Sequence, residues 1–261
     1  WLVMKKVILS RKGFDSKYGG RPSPIFSDGN IFSLPIPQNS ISPNKYRSIE
    51  FNKISCEKAF LEASVTQVNL DSYCHFDPDL NQRIGLFGQA GSAQSELKNN
   101  KVSIGDLFLF FGWFKNFNFI KKDIHLIFGW LEIDEIISGN FEISKFLKQE
   151  KLTHPHDPKF KSYKNNTLYV ARKNFGLFKK FSNQLALTAE GYSRSMWEFP
   201  KEYFKNSKDI GSELFANRIQ WNHKNNFLVD TNLGPGQEFI LNVEKNPQVK
   251  KWAKSLIKNN I

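Results

Sequence analysis

Residues 10–25, which read SRKGFDSKYGGRPSPI, carry the charged groups and the conformationally special residues of a binding loop. A short apolar run, Val7–Leu9, stops at this segment, and the pair Gly19–Gly20 and two prolines keep it out of regular structure. The pattern predicts a buried strand that leads into a rigid polar loop, where α/β and α+β proteins place catalytic groups. Two cations beside Asp15 suit an anionic partner that the backbone approaches closely. A solvated turn at the end of a strand is the alternative.

A second candidate site is the segment HFDPDL, in which His75, Asp77 and Asp79 alternate along a loop stiffened by Pro78. Side chains at alternate positions of an extended chain point the same way, so the three groups are predicted to share one side. Such a cluster can bind a metal ion or activate a water molecule. The alternative is that Asp77 caps a turn and Asp79 is solvated.

A third candidate is HPHD, where His154 and His156 flank a proline. The spacing suits a metal site or a phosphate clamp, although zinc normally takes four ligands and no others are adjacent in the sequence. An exposed polar loop is the alternative. A fourth segment, GQAGSAQ from Gly88, predicts small residues before a helix N-terminus, where either a base lies against the backbone or the helix simply packs. The segment GQEF at 236–239 is a weaker candidate to return polar groups to the site.

The chain has 261 residues, 40% of them hydrophobic and 15% aromatic, which is enough to bury a sizeable core and excludes a disordered chain. Its formal net charge is +12, with 37 Lys and Arg against 25 Asp and Glu. A globular protein this basic usually meets a polyanion, which favours nucleic acid. Enrichment in Lys from a biased coding composition is the alternative.

Two cysteines, Cys56 and Cys74, are too few and too far apart for a metal knuckle or a disulfide framework, which favours a reducing cytoplasm. No apolar run reaches the ~20 residues that span a bilayer, so we expect no membrane partner. Residues 1–3 precede Met4 and are expected to be a remnant outside the domain. No linker or repeat divides the rest, which predicts one domain over residues 4–261 with no obligate protein partner.

The fold class predicted is α+β (mixed α/β), a single domain with a curved mixed sheet. The predicted strands are Lys5–Leu9, Ile31–Leu34, Gly105–Phe114, His125–Ile133 and Thr167–Ala171, and the predicted helices are Cys56–Val65, Ala90–Asn99 and Lys250–Ile257. Two of these strands are nearly continuous apolar runs, as expected for strands covered on both faces. Gly112 and Gly129 each precede a tryptophan inside a strand, which indicates a bulge or a close backbone approach.

The motifs of common cofactor-driven reactions are absent from the sequence. It has no GxxxxGK[ST] loop, no GxGxxG after a strand, no paired H-x-E and P-C-x-x-C, and no GxSxG. These absences favour cofactor-free hydrolysis or plain binding, so no cofactor and no metal ion is predicted.

Several segments taken together resemble a known family. SRKGFDS, SLPIP, HFDPDL, FGQAG, GDLFLFFGWF, HLIFGWL, HPH, NNTLYVA and GQEF, spread over residues 7–240, resemble the third nucleotide-modification-associated domain family. The resemblance implies an association with hypermodified bases in DNA, often in anti-phage defence. Members of such a family make, read or remove a modified base.

Two further similarities bear on mechanism. Residues 90–135 look like the core of PUA-like barrels, including modified-base readers of the EVE and ASCH type, which implies binding of a flipped base. The first loop is similar in placement to the water-activating loop of uracil-DNA glycosylase-like enzymes, and Asp15 matches the carboxylate. A PUA-like or a glycosylase-like core is therefore expected.

The leading hypothesis is a DNA glycosylase that flips a hypermodified base and hydrolyses its N-glycosidic bond. The catalytic candidates are Asp15 and Asp77, because a carboxylate stabilises an oxocarbenium-like state and orients water. The predicted base-binding residues are Phe14, Gln89, Trp113, His154 and His156, and the predicted phosphate-binding residues are Arg11, Lys12, Arg21 and Lys115. A non-catalytic PUA-like reader and a base-modifying transferase are the alternatives, the latter with Asp77-Pro78-Asp79 as a loose match to a metal motif.

Overall fold

The computed structural model describes residues 4–118, 122–204, 219–221, 228–231 and 238–261, so the predicted remnant at 1–3 lies outside the described residues. The fold is mixed α and β, which confirms the predicted class. The helices of the described residues are α1 (Cys56–Glu62), α2 (Gly91–Asn99), α3 (Asn140–Glu150) and α4 (Gln248–Asn260). Two 3-10 turns cover Tyr46–Ser48 and Asn183–Leu185.

The strands fall into a long first group and a set of short ones. In the N-terminal half they are β1 (Lys6–Arg11), β2 (Ser23–Ile25), β3 (Ile36–Pro37), β4 (Asn44–Lys45), β5 (Glu50–Phe51), β6 (Ile54–Ser55), β7 (Tyr73–His75), β8 (Gly85–Gln89) and β9 (Leu107–Asn116). In the C-terminal half they are β10 (Ile124–Glu132), β11 (Glu135–Ser138), β12 (Thr167–Ala171), β13 (Phe175–Leu177), β14 (Met196–Glu198), β15 (Ile219–Trp221), β16 (Leu228–Thr231) and β17 (Glu238–Asn242).

The main sheet is mixed and has the order β13-β10-β9-β1-β17, with β2 also paired to β9. Strand β1 runs parallel to β9 and antiparallel to β17, so the predicted mixed sheet is confirmed. The apolar runs of β9 and β10 are buried along almost their whole length, as the sequence predicts. Helix α4 packs Val249, Trp252 and Leu256 into the same core as β1.

Both strand glycines do what their positions predict. The pairing of β9 with β10 shifts register between Ile127 and Gly129, which places a bulge at that glycine. A Cβ at Gly112 would lie 2.8 Å from the carbonyl oxygen of Lys12, so the backbone of the first loop approaches β9 closely there.

A second sheet, β11-β12-β8, packs between the main sheet and α3. On its inner side Phe87 meets Phe108 and Phe110 of the main sheet, with ring centroids 4.9 and 5.0 Å apart. Such edge-to-face pairs contribute about 0.5–1.5 kcal/mol each beyond the area they bury. On the outer side Leu86 and Val170 pack against α3. The sheet is therefore held rigidly, and the ends of β8 and β12 offer a fixed support for polar side chains.

Some predictions of structure were wrong. Residues 31–34 form no strand, because Ile31 makes only an isolated bridge and the residues after it are irregular. Helix α3 was not predicted. Within the described residues the main sheet stays open, since its edge strands β13 and β17 do not pair, so the barrel that the PUA-like resemblance implied is not found there. None of the helices in the described part of the chain has the length and apolar composition needed to cross a bilayer.

Candidate active site

Four side chains from two distant segments meet around the carboxylate of Asp77. Nε2 of His75 lies 3.5 Å and Nε2 of His156 lies 3.6 Å from its Oδ2 atom. Nε2 of His154 lies 3.3 Å from the other oxygen, Oδ1. The second and third candidate segments of the sequence therefore form one site, and the exposed-loop alternative for His154 and His156 is wrong because both are buried.

The end of β8 holds Asp77 in place. The backbone N–H of Gly88 donates to Oδ1 of Asp77 at 3.0 Å. Gly88 has no side chain, and the space beside it is filled by the ring of His156, since a Cβ there would lie 2.3 Å from Cδ2 of that ring. The glycine was predicted to admit a base or to allow packing. Packing against a histidine of the site is what the structure shows.

Asn166, directly before β12, positions His156 from the other side. Its Nδ2 atom donates to the carbonyl of His156 at 2.9 Å and to Oδ1 of Asn140, at the start of α3, at 2.8 Å. Both amide hydrogens are thus used, which identifies Oδ1 of Asn166 as the acceptor that faces Nδ1 of His156 at 2.7 Å. Nδ1 of His156 therefore carries a proton, and in the neutral ring Nε2 has a lone pair that points at Asp77.

Gln38 fixes His75 in the same way. Its Nε2 atom donates to the hydroxyl of Ser40 at 3.2 Å and to the carbonyl of Ile41 at 3.1 Å. Its Oε1 atom is left to accept from Nδ1 of His75 at 3.1 Å. In neutral His75, Nε2 is consequently a second lone pair directed at Oδ2 of Asp77.

His154 has the opposite tautomer. The backbone N–H of His156 donates to Nδ1 of His154 at 3.2 Å, so the ring proton sits on Nε2 and points at Oδ1 of Asp77. One carboxylate oxygen thus faces two N–H groups, from Gly88 and His154. The other oxygen faces two lone pairs.

The protonation states follow from burial and from these neighbours. Burial alone would raise the pKa of Asp77, but the rings of His154 and His75 outweigh it and hold that pKa well below the usual range of a carboxyl group. Burial lowers the pKa of His156 to about 3, against the opposing charge of Asp77. At neutral pH the site therefore holds an ionised carboxylate beside a neutral imidazole. The side chain of His75 is 18% exposed, against 3% for Asp77, so solvent reaches the site from that side.

A basic and aromatic strip continues from the site. The ring of Tyr163 stacks on His156, with centroids 4.6 Å apart, and Nζ of Lys161 lies 5.0 Å from the centre of the Tyr163 ring. Burial, with the charge of Asp77, raises the pKa of Tyr163 to about 12. Lys159, Lys161 and Lys164 are all exposed. We name residues 159–164 the lysine strip.

Gln89 belongs to a different polar cluster. Its Nε2 atom donates to Oε1 of Glu238 at 2.7 Å, and that oxygen also accepts from Ser10 at 3.0 Å and pairs with Lys12 at 3.4 Å. Glu238 is buried, which raises its pKa against the pull of Lys12. The side chain of Lys12 is 13% exposed, so its charge is directed inward. Glu238 was predicted only as part of GQEF, of which Gly236 and Gln237 lie outside the described residues.

The first loop is built around its own contacts. Oδ1 of Asp15 accepts the backbone N–H groups of Lys17 and Tyr18, at 2.8 and 2.7 Å, which is a turn stabilised by an aspartate. Phe14 is 1% exposed, and its ring packs on Tyr46 and on Phe60. Base stacking by Phe14 therefore receives no support from the fold.

The predicted phosphate ligands differ in exposure. Arg21 is exposed, whereas Arg11 is partly buried, and burial lowers its pKa while the charge of Asp15 raises it. Lys115 lies over the ring of Phe117 at 5.7 Å. None of these three residues contacts Asp77 within the described part of the chain.

Trp113 is also separate from the four-residue cluster. Its Nε1 atom donates to Asp123, and Arg194 lies 4.3 Å from its ring centre while bonding the same carboxylate. A cavity of about 1120 Å³ nearby is lined by Lys115, Lys122 and other residues but by no member of the cluster around Asp77. A smaller apolar cleft, of about 40 Å³, runs from Gly13 to Asp77, so the first loop and the second segment do border a common space.

Asp79 does not join the cluster, contrary to the predicted alternation. Its carboxylate accepts from the side chain of Gln82 and from the backbone of Asn81, and its backbone pairs with Leu86 of β8. A pair of carboxylates for a donor-phosphate metal site is thus not formed by Asp77 and Asp79.

Sequence analysis missed Gln38, Asn166 and Tyr163. The one usable signal was the run KFKSYK directly after HPHD, which interleaves cations with aromatic rings as nucleic-acid-binding segments do.

Comparison with known proteins gives one match. The family described as nucleotide modification associated domain 3 matches residues 6–242, nearly the span of the motifs that suggested it. No curated protein and no solved structure matches the chain.

Proposed function

Because this chain belongs to the nucleotide modification associated domain 3 family, we propose that it is a DNA glycosylase for a modified base. Its active site is the cluster of His75, Asp77, His154 and His156. The observation that carries the proposal is the asymmetry of Asp77, whose Oδ1 atom is satisfied by two N–H groups while Oδ2 faces two ring nitrogens. An ionised carboxylate fixed in this way is suited to polarise water and to stabilise positive charge on a sugar.

The reaction is a hydrolysis. The oxygen of water bonds to C1′ of deoxyribose while the bond from C1′ to the base nitrogen breaks. The electron pair of that bond stays on the base, which takes up one proton of the water, and the products are a free base and an abasic site. The developing charge on the sugar lies beside Oδ2 of Asp77, the oxygen that no N–H group occupies.

The lysine strip supplies the means to hold DNA at this site. Lys161 lies over Tyr163, which stacks on His156, so phosphates bound by the strip would pass within a few side chains of Asp77. Phosphate neutralisation by lysine is the main source of affinity for DNA, and the net charge of +12 agrees with it. A flipped base would cost a few kcal/mol of stacking, which contacts in the site offset.

Carboxylate substitutions test this assignment. DNA duplexes that contain hydroxymethylated or glycosylated pyrimidines are incubated with the protein, and abasic sites are detected by strand cleavage in alkali. The wild type should release the base, and Asp77→Asn should slow release by about 100-fold or more, the loss typical of a removed general base. Asp15→Asn, in the first loop, should retain most activity. Binding of modified DNA without any release would instead identify a reader and would overturn the proposal.

A mass gain on DNA in the presence of an activated donor would identify the base-modifying transferase. The exposed pair formed by Asp71 with Arg47 offers a matched carboxylate control, since Asp71→Asn removes the same charge away from the cluster. Equal losses for Asp71→Asn and Asp77→Asn would show a general effect of charge rather than catalysis.

A further inference from the structure

We propose that His75, Asp77 and His156 bind one divalent transition-metal ion through Nε2, Oδ2 and Nε2. The inference deepens the proposed function, because the ion would bind the water used for hydrolysis, but the binding itself is argued from the geometry alone. Metal-binding atoms of these three residues lie within 4.8 Å of one another.

The first argument is that the site contains three acceptors and no donor between them. The hydrogen bond to Asn166 leaves a lone pair on Nε2 of His156, and the hydrogen bond to Gln38 leaves one on Nε2 of His75. Both lone pairs point at an ionised oxygen of Asp77, over 3.6 and 3.5 Å. Two lone pairs and a carboxylate oxygen repel one another unless a cation lies among them.

The second argument is the spacing. Zinc binds histidine nitrogen and carboxylate oxygen at about 2.0–2.2 Å, so the ligand atoms of a tetrahedral ion are about 3.3 Å apart. The two measured separations from Oδ2 are 3.5 and 3.6 Å, longer than a good hydrogen bond and close to the separation of two ligands. A small inward movement of the two rings would complete the geometry.

The third argument is the support around the three ligands. Histidines that bind metals almost always donate their other ring N–H to an oxygen, which fixes the tautomer and the direction of the ring. Gln38 and Asn166 provide that acceptor for His75 and His156. The ligating carboxylate is itself held by Gly88 and by His154, through the oxygen that faces away from the ligands. His154 is therefore a positioning residue and not a ligand.

The ligand set identifies the class of ion. Two imidazoles and one carboxylate suit a divalent transition metal such as Zn²⁺, whereas Mg²⁺ and Ca²⁺ prefer oxygen ligands. Three protein ligands leave a position for water, as in catalytic zinc sites, and His75 is on the side that solvent reaches. A metal ion lowers the pKa of bound water to about 7, which would supply hydroxide to C1′ at neutral pH.

The competing explanation is a proton, carried by His75 or His156, in place of the ion. Zinc titration separates the two. Full-length protein is stripped with a chelator and titrated with Zn²⁺ in a calorimeter, and the bound metal is counted by mass spectrometry. We expect one saturable equivalent, no competition from Mg²⁺, and affinity at least about 100-fold lower for Asp77→Asn and His156→Ala. Circular dichroism of each variant confirms that it is folded.

Two variants distinguish ligands from positioning residues. His154→Gln keeps an N–H donor toward Asp77 and should lose less than about 10-fold in affinity, while the exposed control Asp71→Asn should lose none. No saturable zinc binding, or wild-type affinity in Asp77→Asn, would overturn the proposal. A loss for His154→Gln as large as for His156→Ala would overturn the assignment of ligands.

The outcome for the metal is independent of the outcome for the proposed function. Zinc binding without base release would leave the metal site standing and end the glycosylase proposal. Base release by the stripped protein in excess chelator would do the reverse.

Discussion

The backbone N–H of His156 donates to Nδ1 of His154, and this single 3.2 Å hydrogen bond sets the roles of two histidines that are two residues apart. It places the proton of His154 on Nε2, where it faces Oδ1 of Asp77. The ring of His156 is fixed in the other tautomer by Asn166 and presents a lone pair to Oδ2. One short segment thus supplies both a donor and an acceptor to the same carboxylate.

Asn166 should affect both metal binding and stability. Asn166→Ala removes the acceptor for Nδ1 of His156 and leaves buried polar groups without a partner, so zinc affinity should fall about 10–100-fold. The free energy of unfolding should fall by about 1–3 kcal/mol. Calorimetry and urea denaturation followed by tryptophan fluorescence measure the two effects. Asn118→Ala, whose side chain bonds Glu62, should change neither, and an equal loss of affinity there would contradict the assignment.

Gly88 should not tolerate a side chain. A Cβ would lie 2.3 Å from the ring of His156, so Gly88→Ala should displace that ring and abolish zinc binding and base release together. Gly29→Ala is the control, because nothing lies within 4 Å of a Cβ there and only its positive φ of 83° is strained. That variant should lose about 1 kcal/mol of stability and keep the site. Wild-type zinc affinity in a folded Gly88→Ala protein would contradict the packing described above.

The lysine strip should set the salt dependence of DNA binding. Lys161→Ala removes one cation beside the site, and the slope of log affinity against log salt should become shallower by about 0.9 for each phosphate that is no longer neutralised. Fluorescence anisotropy at several salt concentrations measures the slope. Lys251→Ala, on the exposed face of α4, should leave it unchanged. Equal changes for the two variants would mean that DNA binds the whole basic surface without preference.

Both thiols should be inert in the folded protein. Cys56 and Cys74 are buried, and burial raises the pKa of Cys56 to about 12, so almost no thiolate forms near about pH 8, where an ordinary thiol titrates. Iodoacetamide should label neither residue in the native state and both in concentrated guanidinium, as counted by mass spectrometry. Rapid labelling of the native protein would show that the region around α1 opens readily.

The parts of the fold that could be predicted are those whose signal is local. The apolar runs of β9 and β10 and the bulge at Gly129 follow from neighbouring residues in the sequence, and so do helices α2 and α4. The family resemblance, carried by motifs from one end of the chain to the other, is confirmed by the match over residues 6–242. The roles assigned to Asp15 and to the base-binding residues stay predictions.

The rest depends on contacts between distant residues. His75 and His156 are brought together by the pairing of β8 with β12, which no local pattern reveals. Gln38 and Asn166 are ordinary polar residues in loops, and only the tautomers they impose show what they do. Helix α3 begins after Gly139 with no side-chain cap, so its start carried no signal.

The most direct test is a crystal structure of the zinc-loaded protein with anomalous scattering measured at the zinc edge. One strong peak is expected between Nε2 of His75, Oδ2 of Asp77 and Nε2 of His156, with His154 turned to the other oxygen of the carboxylate. No peak among these atoms, or a peak ligated by His154, would contradict the central claim that Asp77 and two histidines form a metal-binding active site.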